Sequence, residues 1–139
     1  MSQRPEIRHG FTRAFYSPID DSVSMPNKKA FTDGAEYYSN LFHELAHATG
    51  HESRLNRHQT IKNHSFGSQD YSKEELVAEF GSAFLCAEAG ISPAVIDNQS
   101  AYIQGWLKAL KNDNKLLINA AAQAQKAADF IMGRKEASE

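Results

Sequence analysis

Two histidines four positions apart, with a glutamate directly after the first, stand at His43, Glu44 and His47. Positions four apart share one face of a helix, so both imidazoles reach a single cation while Glu44 reaches the open side of the site. That geometry suits zinc: two histidines fill two corners of a tetrahedron, and the glutamate is left to accept a proton from a metal-bound water. A catalytic zinc needs a third protein ligand and one position for water. The candidates are His51, Glu75 and Glu79. In one large class of zinc peptidases the third ligand is a histidine six residues past the second; here Ser53 holds that place, so that class is disfavoured. His51 follows Gly50 and reaches the site only if the chain reverses at once. Glu75 and Glu79 lie four apart on a second predicted helix, where one carboxylate can ligate and the other can accept the remaining N–H of a ligand histidine. Ser72 and Glu75 also have capping-box spacing, which gives Glu75 a competing role at its own helix end and leaves Glu74 as its exposed neighbour. Two acids on an otherwise apolar segment are costly unless paired or ligating, which favours the metal reading.

The elements that must position these groups are legible in the periodicity. Tyr37, Leu41, Phe42, Leu45 and Ala48 recur at helical spacing, with Asp33 and Glu36 as an N-terminal cap and Gly50 as a stop, so the paired histidines fall within a helix from Asp33 to Ala48. A second helix spans Ser72 to Glu88, with Leu76, Val77, Phe80, Ala83, Phe84 and Ala87 on its apolar face and Gly90 past its end. Ahead of both, the run from Arg13 to Pro26 reads as two short strands, Ala14–Tyr16 and Val23–Met25, around a polar turn. Residues 51–71 show no sustained period and read as a long surface loop, a binding or gating element or a solvated connector. Ser92 and Pro93 open a short helix, and the chain from Ser100 to Met132 is helical with a polar break at Asn112, Asp113 and Asn114. The expected fold class is α+β: a small N-terminal β-sheet packed on the histidine-bearing helix, with a mainly helical C-terminal half. The 139 residues form a single domain whose ends, 1–12 and 134–139, are flexible.

Composition narrows the function classes. A net charge of −2 and a pI near 6.3 argue against a nucleic-acid binder by charge alone. No apolar run approaches the roughly 18 residues of a membrane span. The first ten residues carry charge without a following hydrophobic stretch, so a secretory signal is not expected and a cytoplasmic site is the default. The one cysteine, Cys86, falls among Ala83, Phe84 and Leu85 as a reduced, buried thiol.

Three segments together, HELAHATGHESRLNR, YSKEELVAEFGSAFLCAEAGI and AYIQGWLKALKNDNKLLINAAAQAQKAADFI, resemble the zincin-like metallopeptidase domain of ArdC-like antirestriction proteins of plasmids and phages. The resemblance runs from about Ala14 to Ile131 with the segments in the family's order. It implies Zn2+ held by His43, His47 and Glu75, with Glu79 orienting a ligand histidine and Glu44 as the catalytic base. It also implies a polypeptide substrate. ArdC-like proteins place single-stranded-DNA binding in a separate domain ahead of the peptidase domain, and this chain has no room for one before Arg13.

The expected chemistry is hydrolysis of a peptide bond by a zinc-activated water, with Glu44 passing its proton to the leaving amine. One of the two short strands would pair with an extended substrate. Tyr102 is a candidate oxyanion stabiliser, weighed against an aromatic core role. Two other classes compete: a zinc-containing, non-catalytic binding module that supports protection of incoming mobile-element DNA, and a metal-free helical interaction domain.

Overall fold

A computed structural model describes residues 1–60, 68–91, 93–111 and 113–134. The sheet has three strands, β1 (Glu6–His9), β2 (Phe15–Ser17) and β3 (Ser22–Met25), in the order β1-β3-β2. β2 and β3 form the expected hairpin, antiparallel with Tyr16 opposite Val23. β1 adds parallel to the far side of β3, Ile7 opposite Val23, so residues 6–9 are a strand where a loose end was expected. The short, polar sequence EIRH carries little strand signal of its own; pairing along β3 supplies its order. β3 is consequently central and buried along its whole length, while β2 keeps one edge outside the sheet.

Helix α1 (Gly34–Ala48) begins where the sequence places it. The Asp33 carboxylate accepts the N–H of Glu36 at 2.9 Å, and Glu36 reaches back to the N–H of Thr32 at 3.2 Å. Tyr37, Leu45 and Ala48 pack with Val23 and Met25 of β3, which seats α1 on the sheet. Helix α2 (Gln69–Glu88) starts earlier than predicted. Ser68 is its N-cap, accepting from the N–H of Tyr71, and Ser72 is buried within the first turns. Glu75 is thereby released from any capping duty and lies mid-helix.

Helix α3 (Pro93–Ala109) is one continuous element where two segments were predicted, and α4 (Asn114–Met132) follows a turn capped by Asp113, whose carboxylate accepts from Lys115 and Leu116. Ser92, the predicted cap of α3, lies outside the described residues, as do Asn112 and the tail 135–139. A second apolar cluster, with Leu76 and Val77 of α2 beside Leu110, Ala120 and Ala124, fills the space between α2, α3 and α4. Cys86 is a free, buried thiol as expected.

α2 is thus sandwiched between α1 and the C-terminal helices. Its approach to α1 is close because Gly81 faces Ala46: a Cβ at Gly81 would lie 3.2 Å from that of Ala46, tighter than an ordinary contact. This small-residue crossing brings the histidine face of α1 against the acidic face of α2. No described helix is long and apolar enough to cross a membrane.

Candidate metal centre

His43 and His47 project from one face of α1, and Glu75 meets them from α2. The two Nε2 atoms lie 3.2 Å apart, with Glu75 Oε2 3.3 Å from that of His43 and Oε1 3.1 Å from that of His47. Donors at ~2.0–2.1 Å from a tetrahedral cation are separated by about 3.3 Å, so the spacing matches a shared ion. Each Nδ1 has its own carboxylate: His43 Nδ1 is 3.1 Å from Glu79 Oε1 and His47 Nδ1 is 2.9 Å from Glu74 Oε2. With Nδ1–H donated to these acids, both Nε2 lone pairs face each other and a carboxylate, an arrangement that requires a proton or a cation between them. A carboxylate oxygen of Glu44 also comes within 4.8 Å of the imidazole nitrogens. Glu75 touches both imidazoles at ligand spacing, and Glu44 stands beside the cluster, 7% exposed.

The electrostatics follow from the geometry. Burial opposes a charged His43, yet hydrogen bonds to Glu75 and Glu79 outweigh it and push its pKa up to about 9. His47 is driven well above its ordinary value, against burial, by Glu74 and Glu75. Burial alone would raise both acids, but the histidines hold Glu75 far below the usual carboxylate range, and His47, His58 and Arg57 do the same for Glu74. These contacts keep Glu74 and Glu75 ionised and favour positive charge on the two imidazoles.

A capping role for Glu75 would have left Glu74 as its exposed neighbour; in the structure the Glu74 side chain is only 12% exposed. Its carboxylate receives His47 on one side and, on the other, a two-pronged contact from Arg57, Nε to Oε1 at 2.9 Å and Nη2 to Oε2 at 3.0 Å. Arg57 also donates to the carbonyl of Ala46 and to Thr49 Oγ1, so the segment after α1 is braced onto the end of the histidine helix. His58 completes the brace, its Nε2 3.6 Å from Glu74 and its ring seated so closely on Gly50 that a Cβ there would overlap it. Residues 51–60, read as loop, are largely this brace and end in a short 3-10 turn, His58–Thr60; residues 61–67 of the predicted loop lie outside the described residues. The signal for it was present as Arg57 and His58 beside an acid too many on α2, but spacing along the chain does not show which acid a distant arginine meets.

His51 is elsewhere, its Nδ1 bonded to Ser53. Tyr102 is 62% exposed and lines a cavity of about 550 Å³ that also contains His43, Glu44 and Glu79. A second cavity, about 440 Å³, is bounded by His43, Glu44, His47, Glu75 and Tyr71. Tyr71 was not singled out from the sequence, although it stands four residues before Glu75 on the same helix face. Its ring packs edge-on against Trp106 at 5.7 Å, and burial together with Glu75 raises its phenol. The two cavities meet at His43 and Glu44, and the segment around β2 borders both: Thr12, Arg13 and Ala14 on one side, Ala14, Phe15 and Tyr16 on the other.

A helix carrying two histidines and a glutamate, faced by a second helix whose carboxylates reach both imidazoles, is the architecture of a zincin-type metallopeptidase domain. The chain belongs to that family: residues 2–123 match the zincin-like metallopeptidase model. It is similar to the antirestriction protein ArdC of plasmid R388, solved metal-free (42% identity, TM-score 0.73, 92% of this chain and 45% of that one) and with Mn(II) bound (40%, 0.74, 97% and 49%). Among curated proteins it is 45% identical over 127 residues to the DNA primase TraC of Escherichia coli, covering 91% of this chain and 12% of that protein. It is 39% identical over 126 residues to the uncharacterized protein y4eC of Sinorhizobium fredii, covering 91% and 40%. The chain spans less than half the length of each of these relatives.

Proposed function

We propose that these residues are the zinc-dependent peptidase domain of an antirestriction-type protein. The observation that carries the reading is the convergence of His43 Nε2, His47 Nε2 and the Glu75 carboxylate within 3.1–3.3 Å, with Glu44 beside them. Two imidazoles and one carboxylate are the donor set of catalytic zinc sites that keep an open position. A cation held there supplies Lewis acidity to a carbonyl oxygen and to water. Glu44 then accepts the proton of the attacking water and returns it to the departing amine nitrogen. Glu79 and Glu74 fix the two imidazole rings through Nδ1. An extended substrate adds along the open edge of β2; β3, the other strand considered, is paired on both sides and is unavailable. Tyr102, which lines the first cavity, is a candidate to stabilise a developing oxyanion, while Tyr71, in the second, is engaged with Glu75.

The relation to ArdC supports a role in protecting incoming mobile-element DNA. The small negative charge of the domain agrees with DNA contacts made by another part of a longer protein. A free buried thiol agrees with a cytoplasmic setting.

The test is Glu44→Gln, assayed for metal content, for cleavage of unfolded casein and for protection of transferred DNA. The variant should keep its zinc and lose cleavage by about 100-fold or more. If it protects as the parent does although cleavage is lost, or if neither protein cleaves, the domain acts as a metal-holding binding module; full cleavage by the variant would remove Glu44 as the base.

A further inference from the structure

Tyr71 reaches the metal centre from one turn before Glu75, and its surroundings fix what its hydroxyl can do. The two residues are four apart in α2 and share a helix face. Tyr71 lines the same cavity as His43, His47 and Glu75, and its hydroxyl donates to the Glu75 carboxylate, which when ionised can only accept. The ring is anchored: Trp106 of α3 packs against it edge-on, with centroids 5.7 Å apart. A third helix thereby holds the phenol against an acid that faces both imidazoles.

Glu75 has three neighbours for its two oxygens. Oε2 lies 3.3 Å from His43 Nε2 and Oε1 lies 3.1 Å from His47 Nε2. The phenol is the third, and of the three it alone is not a proposed ligand. With both oxygens free, Glu75 can give two donors to an ion seated between the rings; with one oxygen held, it gives a single donor. That difference bears on the choice of metal. Zinc is served by three protein donors with a position left for water, whereas manganese favours a larger set rich in oxygen.

We propose that Tyr71 is a positioning residue for the third ligand: by holding one oxygen of Glu75 it limits that carboxylate to one bond with the ion and so favours zinc over manganese. The inference rests on the zinc-site reading and goes beyond it, because it assigns the choice of metal to a residue that does not bind the metal.

The test is Tyr71→Phe, which removes the hydroxyl and keeps the ring against Trp106; the melting temperature of metal-free protein certifies the fold. Zinc and manganese affinities are measured by competition against a chelator, and the visible absorption of cobalt-substituted protein reports the number of donors. In the variant, zinc affinity should fall on the order of ten-fold while manganese is retained, so that the ratio of the two narrows. The cobalt absorption should weaken, as it does when a fourth protein donor is added to a tetrahedral site. A ratio that does not move, or a cobalt spectrum that does not change, overturns the inference and leaves the zinc-site reading standing. A parent protein that takes up no zinc overturns both.

Discussion

Arg57 and Glu74 face each other as a fork on a carboxylate, at 2.9 and 3.0 Å, and the carboxylate oxygen nearer His47 accepts that ring's Nδ1–H at 2.9 Å. A residue outside the helices thus sets the orientation of a proposed metal ligand through a largely covered acid. Glu74→Gln and Arg57→Ala should each weaken zinc binding by about 10–100-fold, read by competition against a chelator. Arg57→Lys should recover little, since an ammonium cannot reproduce the planar fork. Unchanged zinc affinity in both variants would show that the brace only holds the chain together.

Glu75 and Glu79 both touch His43, but only Glu75 also reaches His47. Glu75→Gln should therefore lose most bound zinc, whereas Glu79→Gln should retain it with reduced affinity. Elemental analysis of the two purified proteins decides this, and the reverse order would reassign the third ligand.

The raised His43 has a signed consequence for protein stripped of metal. Its folded pKa of about 9 lies above the ordinary value of 6.5, so its contribution to stability is complete below pH ~6.5 and is lost as pH climbs through 9. Glu75, depressed, contributes above its ordinary 4.5 and loses that contribution as pH falls below it. Metal-stripped protein should melt highest between about pH 5 and 6.5 and decline towards pH 9. Zinc must displace the His43 proton, so zinc affinity should rise across the same interval. Parallel melting curves with and without zinc at each pH test both slopes; a pH-independent affinity between 6.5 and 9 would contradict them.

Arg54 ties the segment after α1 to the sheet. Its side chain is 1% exposed, pairs with both oxygens of Asp21 at 2.8 Å and donates to the carbonyl of Gln3. Arg54→Ala strands an acid and a carbonyl. The expected loss is about 2–4 kcal/mol, below the full cost of a broken buried pair because Asp21 keeps some contact with solvent. Urea unfolding gives the value, and a loss under about 0.5 kcal/mol would make the pair a surface ornament.

What could be read from the chain alone were the features governed by short spacing. The four-residue interval of His43 and His47, the Asp33 cap and the hairpin around Pro18 are local, because a helix face and a turn are determined within a few residues. The α+β class follows from the same periods. The start of α2 was misplaced by several residues because Ser68 and Ser72 both look like caps, and only the burial of Ser72 against its surroundings separates them. β1 was missed because its order comes from pairing with β3, not from its own residues. The acids show the division most clearly. Glu74, Glu75 and Glu79 are one helix's carboxylates in the sequence; the crossing of α1 and α2 at Gly81 and Ala46, and the arrival of Arg57 from the intervening segment, distribute them among distinct positions around two imidazoles. Residue identity determined which donors exist. Their roles were decided by tertiary contacts, since a carboxylate's function depends on which partners reach it and how far it is removed from water.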